Sequence, residues 1–184
     1  MNGTNSLWEA PSCRYPDSPV MCSESSSTTE SEGGELRIRS DDPVGPVAQR
    51  LIGELCAEMS ERYGSPPSPF SLSEAQAVRS RFLVAWRSGE AMGCGGLREL
   101  DAHTAEIKRM YVVGVGRRQG IARRILAELE FHARAFNFRV LRLETGVRQP
   151  EAQRLYQSLG YLPIDAFGPY FGNPTSVCFE KILY

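Results

Sequence analysis

From residue 35 onward the chain changes repeatedly between two apolar rhythms, one of period two and one of nearly four, and each change marks an element. Residues 35–40 alternate as a short strand. Asp41, Asp42 and Pro43 read as a helix cap followed by proline at the first helical position. Val44, Val47, Leu51, Leu55 and Met59 then keep helical spacing until Gly64. Pro66, Pro67 and Pro69 make a loop, and Ser71 or Ser73 caps a short second helix toward Val78. Residues 81–86 and 91–100 are strands around a turn at Ser88, Gly89 and Glu90. Gly93, Gly95 and Gly96 in the return strand predict a bulge or the close approach of a ligand. Residues 104–113 are the next strand. Ile121, Ile125, Leu129, Ala133 and Phe136 then give a helix over 120–136, ended by Asn137. A strand at 139–144, a helix at 151–159 closed by Gly160, a strand opening at Tyr161, an irregular loop at 164–175 and a strand at 176–182 complete the chain. This order, β-α-α-β-β-β-α-β-α-β-β, predicts an α/β (α+β) fold. Its sheet should be largely antiparallel, with one parallel crossover through the 120–136 helix.

Composition divides the chain at residue 34. Residues 23–34 are Ser, Glu, Thr and Gly alone, which cannot bury enough apolar surface to offset their ordering entropy. Residues 1–34 are therefore expected to be a disordered acidic tail, and 35–184 one domain large enough for an ordinary core. The tail holds Arg14 against Glu9, Asp17, Glu24, Glu30 and Glu32; the rest of the chain is left at about +3. That is too mild for a nucleic-acid arm. The five cysteines show no metal-type spacing, so reduced thiols and no metal are expected. The N-terminus lacks a signal-peptide pattern, and no apolar run approaches membrane-spanning length. These features predict a soluble cytoplasmic protein with no membrane partner; a homodimer stays open.

Charge concentrates where a strand turns into a helix. Lys108, Arg109, Arg117, Arg118, Arg123 and Arg124 fall between Ile107 and Ile125 without one acid. A helix start presents free N–H groups and the positive end of its dipole, so this turn predicts a site for a phosphate-bearing ligand. Arg123 and Arg124 fit a solvated helix face; the loop arginines do not. A dinucleotide fingerprint fits poorly, because Gly114-x-Gly116-x-x-x-Gly120 is one residue too long and lacks the following acid.

Arg117-x-x-Gly120-x-Ala122, with Ala152-x-x-Leu155-Tyr156-x-x-x-Gly160-Tyr161 downstream, resembles the GNAT superfamily of acetyl-CoA-dependent N-acetyltransferases over residues 35–184. The resemblance implies a GNAT fold: a mixed, mostly antiparallel sheet, splayed at the acetyl-CoA site and flanked by about four helices. It implies acetyl-CoA as co-substrate. Arg117, Arg118, Gln119, Gly120, Ile121 and Ala122 would wrap its pyrophosphate. The backbone around Met110, Tyr111 and Val112 would pair with the pantetheine arm and offer an N–H to the thioester oxygen. Tyr156 matches the family's general acid. Glu106 stands where several members place a base, and Glu144 is a second candidate. Gln149 replaces the Asn that many members hold seven residues before the Tyr, a longer amide that alters that contact. A narrower resemblance, carried by Leu143 to Gly146, Phe167 to Tyr170 and Ser176 to Phe179, is to a bacterial subgroup. It puts Arg148 and Tyr170 on loops bordering the acceptor pocket, where Arg148 would suit a carboxylate. The expected reaction is direct acetyl transfer to a primary amine of a small, amino-acid-like molecule. A protein lysine or N-terminal acetyltransferase, or a non-catalytic acyl-CoA sensor, is the alternative.

Overall fold

The computed structural model describes residues 34–64 and 77–184. Seven strands form one sheet: β1 (Arg37–Ser40), β2 (Arg81–Arg87), β3 (Glu90–Glu99), β4 (Thr104–Val112), β5 (Val140–Gly146), β6 (Leu162–Ile164) and β7 (Ser176–Ile182). Three helices accompany them among the described residues: α1 (Pro46–Tyr63), α2 (Ile121–Ala135) and α3 (Pro150–Ser158). The expected tail of residues 1–34 lies outside the described residues except for Gly34, and the expected short helix from Ser71 toward Val78 lies outside them up to residue 76.

The spatial order is β1-β2-β3-β4-β5-β7-β6. Every pairing is antiparallel except β4 with β5, which α2 joins as the expected parallel crossover. Apolar residues of α2 recur on one face, where Ile121, Ile125, Leu126, Leu129 and Ala133 are buried against the sheet. Its C-terminus is a Schellman turn. Asn137 takes φ 63°, its N–H reaches the Arg134 carbonyl, and the Phe138 N–H reaches that of Ala133. On the other face Ala48 and Leu51 of α1 pack on Phe82, Val84 and Cys94.

Helix α1 begins three residues later than its sequence suggests. The Asp42 carboxylate accepts the Val44 N–H, and the Asp42 carbonyl accepts the Gly45 N–H. That turn uses up Pro43, and Pro46 takes the first helical position instead.

Two irregularities in β4 position the site. The first is a bulge: Cys94 pairs with Tyr111 and Gly96 with Lys108, so Arg109 and Met110 both oppose Gly95. Arg109 takes φ 57° to make it. A Cβ on Gly95 would lie 2.6 Å from Met110 Sδ and 2.8 Å from Ile125 Cγ2. The strand glycine thus serves the bulge and the close seating of α2. The second is a fork: β4 and β5 pair only from Thr104↔Val140 to Ile107↔Leu143. Beyond that rung β4 stays with β3 and β5 stays with β7, and the sheet opens as expected.

Candidate active site

The fork and the start of α2 share a cleft of about 540 Å³. Its walls include Leu55, Glu58 and Met59 of α1, Met110, Tyr111 and Val112 of β4, and Tyr156 of α3. Its floor is the loop before α2, and Arg117, Arg118, Gly120, Ile121 and Ala122 all line it. Val113 sends its N–H back to Met92 of β3. Strand alternation therefore turns the backbone of Met110 and Val112 toward the fork. There the Val112 carbonyl accepts from Arg117 Nε at 3.0 Å.

The loop is built for an anion. Gly120 caps α2 with φ 77° and no side-chain bond, and no acid occupies the first turn. A Cβ on Gly120 would touch nothing within 4 Å, so its backbone angle, not space, calls for glycine. The first-turn N–H groups face the cleft without intrahelical partners. Arg123, read from sequence as solvated face, lines the same cleft and donates to Ser158 Oγ at 3.0 Å. Gln119 turns the other way, donating to the Val115 carbonyl and accepting from Arg87. Glu58 was not expected: it bonds Arg117 across the cleft and Arg62 at 2.7 Å. Burial pushes the Glu58 carboxyl up, but the Arg117 hydrogen bond and the Arg117 and Arg62 charges outweigh it and hold the group below its ordinary range.

Tyr156 owes its place to the end of α3. Gly160 takes φ 83°; its N–H meets the Gln157 carbonyl, and the Tyr161 N–H meets that of Tyr156. This Schellman geometry brings the residues flanking the turn into contact, here Tyr156 and Tyr161 with ring centroids 5.9 Å apart. The spacing Tyr-x-x-x-Gly-Tyr is thus a physical unit. Burial, with the nearby Glu144 charge, raises the Tyr156 phenol above its ordinary value and keeps it protonated.

Gln149 lines the cleft at the N-terminus of α3. Its Oε1 accepts the Gly146 N–H at 2.9 Å and the Thr145 hydroxyl at 3.2 Å, so its carbonyl holds the turn after β5. Arg148 lies apart. It donates to the Arg62 carbonyl at 2.6 Å and stands over the Tyr63 ring, which ties this turn to α1.

Behind the fork is a polar cluster that no single motif announces. Glu106 is 0 % exposed. Its Oε2 takes Arg98 Nε at 2.7 Å, and its Oε1 accepts the Tyr170 hydroxyl at 2.6 Å. Lys108 Nζ donates to the Tyr170 oxygen at 2.7 Å and stays 3.5 Å from Glu106. Burial lowers the Lys108 pKa, aided by the Arg98 and Arg109 charges and opposed by Glu106. Glu144 accepts from Ser176 Oγ at 2.6 Å. Burial raises its carboxyl above the ordinary range, against the Ser176 bond and the Lys108 charge. Lys108 was legible in sequence only as a neighbour of Glu106; Arg98 and Ser176 reach the cluster through cross-strand pairing. His103 stands in the turn before β4, and His132 stacks against Phe136 on α2, so neither joins the cluster.

Residues 48–161 match the model of the acetyltransferase (GNAT) family. The IAA acetyltransferase of Azospirillum brasilense is 36% identical over 152 residues, covering 80% of this chain and 98% of that protein. YsnE of Bacillus subtilis, an uncharacterized N-acetyltransferase, is 31% identical over 153 residues, covering 80% of this chain and 100% of its own length. A crystal structure from Klebsiella pneumoniae, assigned as an acyl-CoA N-acyltransferase, superposes with a TM-score of 0.73 at 33% identity, covering 81% of this chain and 98% of that one. An Elizabethkingia anophelis acetyltransferase with acetyl-CoA bound shares the fold at a TM-score of 0.61 and 20% identity, with 80% and 98% coverage. Fold and relatives together define an acyltransferase. The chain belongs to the GNAT acetyltransferase family.

Proposed function

We propose that this enzyme transfers the acetyl group of acetyl-CoA directly to a primary amine of a small molecule. The observation that carries this reading is the cleft itself, where an anion cradle, an unpaired strand backbone and a buried tyrosine share one cavity. Bound acetyl-CoA supplies a thioester carbonyl open to attack and a thiol leaving group. The cradle suits its pyrophosphate: Arg117, Arg118 and Arg123 surround the free N–H groups of α2. Arg117 leaves Glu58 and the Val112 carbonyl to reach it. The Met110 and Val112 backbone then suits the pantetheine amides.

A lysine-like amine has a pKa of about 10 and arrives protonated. Glu144 takes that proton, because its raised pKa brings it closer to the working pH than an ordinary carboxylate. Of the two candidate bases, Glu106 is assigned a positioning role in this reading. Arg98 and Tyr170 occupy both its oxygens, so it positions Tyr170 and Lys108 and does not act as the base. As the N–C bond forms and the C–S bond breaks, Tyr156 gives its proton to the sulfur. The second amine proton restores the phenol. The loop at 165–175 brings Tyr170 over the polar cluster, which favours a compact acceptor over a peptide.

Thiol release with acetyl-CoA and an amine panel tests this reading. Tyr156→Phe should lower turnover about 10²–10⁴-fold while the thermal shift given by acetyl-CoA persists. Unchanged turnover removes Tyr156 from the chemistry. Release with basic peptides alone makes the enzyme a protein acetyltransferase.

A further inference from the structure

Lys108 has no task in the chemistry above, yet it holds a costly position. Ile107↔Leu143 is the last rung joining β4 to β5. The next residues on the two strands are Lys108 and Glu144, so an ammonium and a carboxyl face each other across the first open step of the fork. They sense each other's charge but form no contact ion pair among the described residues; Lys108 turns to Tyr170, and Glu144 to Ser176. Glu106 pairs with Lys108 through Oε1 at 3.5 Å but divides its charge, because Arg98 holds its Oε2 at shorter range. An ammonium carries three donors; Tyr170 takes one at 2.7 Å, and Glu106 stands 3.5 Å from the same nitrogen. A half-buried cation facing an acid it does not touch is a site shaped for something between them.

We propose that Lys108 recognises a carboxylate on the acceptor, so that the substrate is a free amino acid whose amine lies on Glu144 and whose carboxylate lies on Lys108. This rests on the acetyl-transfer reading given above. Paired strands lie about 4.8 Å apart, and β4 and β5 stop pairing at this rung, so the two charged groups flank the opening of the fork at a spacing that suits a molecule bearing its own two charges close together. A compact zwitterion would bridge the ammonium and the carboxyl at once. Tyr170 holds Lys108 in position by accepting its proton while donating its own to Glu106. Arg148, which the sequence offers for the carboxylate, is held at the Arg62 carbonyl and over the Tyr63 ring, away from the first open step of the fork.

The experiment is thiol release from acetyl-CoA with the twenty standard L-amino acids, their α-carboxamides and the corresponding decarboxylated amines. At least one free amino acid should exceed its carboxamide in kcat/KM by about 30-fold or more. Lys108→Met should raise KM for that amino acid by a similar factor, leave kcat within about threefold and erase the preference over the carboxamide. Lys108→Arg should keep the preference in part. The acetyl-CoA thermal shift, measured on each variant, confirms that the protein is folded. Three results overturn the inference: carboxamides or decarboxylated amines that match the acids, a Lys108→Met variant that loses kcat at unchanged KM, or a preference erased by Arg148→Ala instead. Release with carboxylate-free amines alone sinks only the carboxylate assignment. Release with no amine at all, while acetyl-CoA still binds, sinks the acetyl-transfer reading and this inference with it.

Discussion

Glu144 shows how a single residue can work against the fold that holds it. Burial raises its pKa, so the folded state favours the protonated carboxyl. Stability from that preference is complete at pH values below the unfolded pKa and is lost as pH rises through the folded one. Glu144→Gln keeps the neutral form at every pH. It should melt higher than the wild type near ~pH 7, the gap should close toward ~pH 4, and turnover should fall. Equal melting temperatures at both pH values would mean that the surroundings do not disfavour the charge. Single residues were legible in sequence where their role rests on local spacing. Tyr156 was singled out through its spacing to Gly160 and Tyr161 in the family signature, a spacing that the structure shows to be a helix-ending turn. Arg98 escaped because it meets Glu106 across a strand pair, eight residues away and unmarked by any repeat.

Among the elements, β4 decides where the site lies, and its bulge depends on the residue opposite. Gly95→Val would drive its side chain into Met110, Ile125 and Leu129. Overpacking of this kind costs about 1–3 kcal/mol. Urea unfolding should show that loss, and acetyl-CoA affinity should fall because Met110 lines the cleft. A Gly95→Val protein of wild-type stability would show that α2 does not sit closely on this strand. The rhythm of apolar positions gave the type and order of the described elements well, because each buries one face on a common core. It misplaced the start of α1, since Pro43 and Pro46 both suit a first helical position and only the Asp42 turn chooses between them. It suggested a bulge near the β3 glycines but not its place on β4, which depends on a register set between strands.

For the molecule as a whole, the cleft proposed for the donor borrows from α1, β4, the loop before α2 and α3, so its ligand should brace all of them together. Acetyl-CoA at 100 times its dissociation constant should add about 2.7 kcal/mol of stability. For a domain of this size that is a rise of roughly 5–10 °C in melting temperature. No rise at saturating acetyl-CoA would remove the donor assignment. The parallel crossover was legible because a strand, a long helix and another strand follow in order. The fork was expected only through the family resemblance, since no local pattern records where two strands stop pairing. It has a consequence for how such an enzyme can change. The proposed donor cleft sets the β4 backbone and the α2 terminus among its side chains, and substitution hardly alters those backbone groups. The polar cluster proposed to meet the acceptor is side chains, and the turn bearing Tyr170 reaches over it. On the function proposed above, replacing that turn and the residues at the first open step would retarget the catalyst to new acceptors and leave its currency of activated acetate untouched.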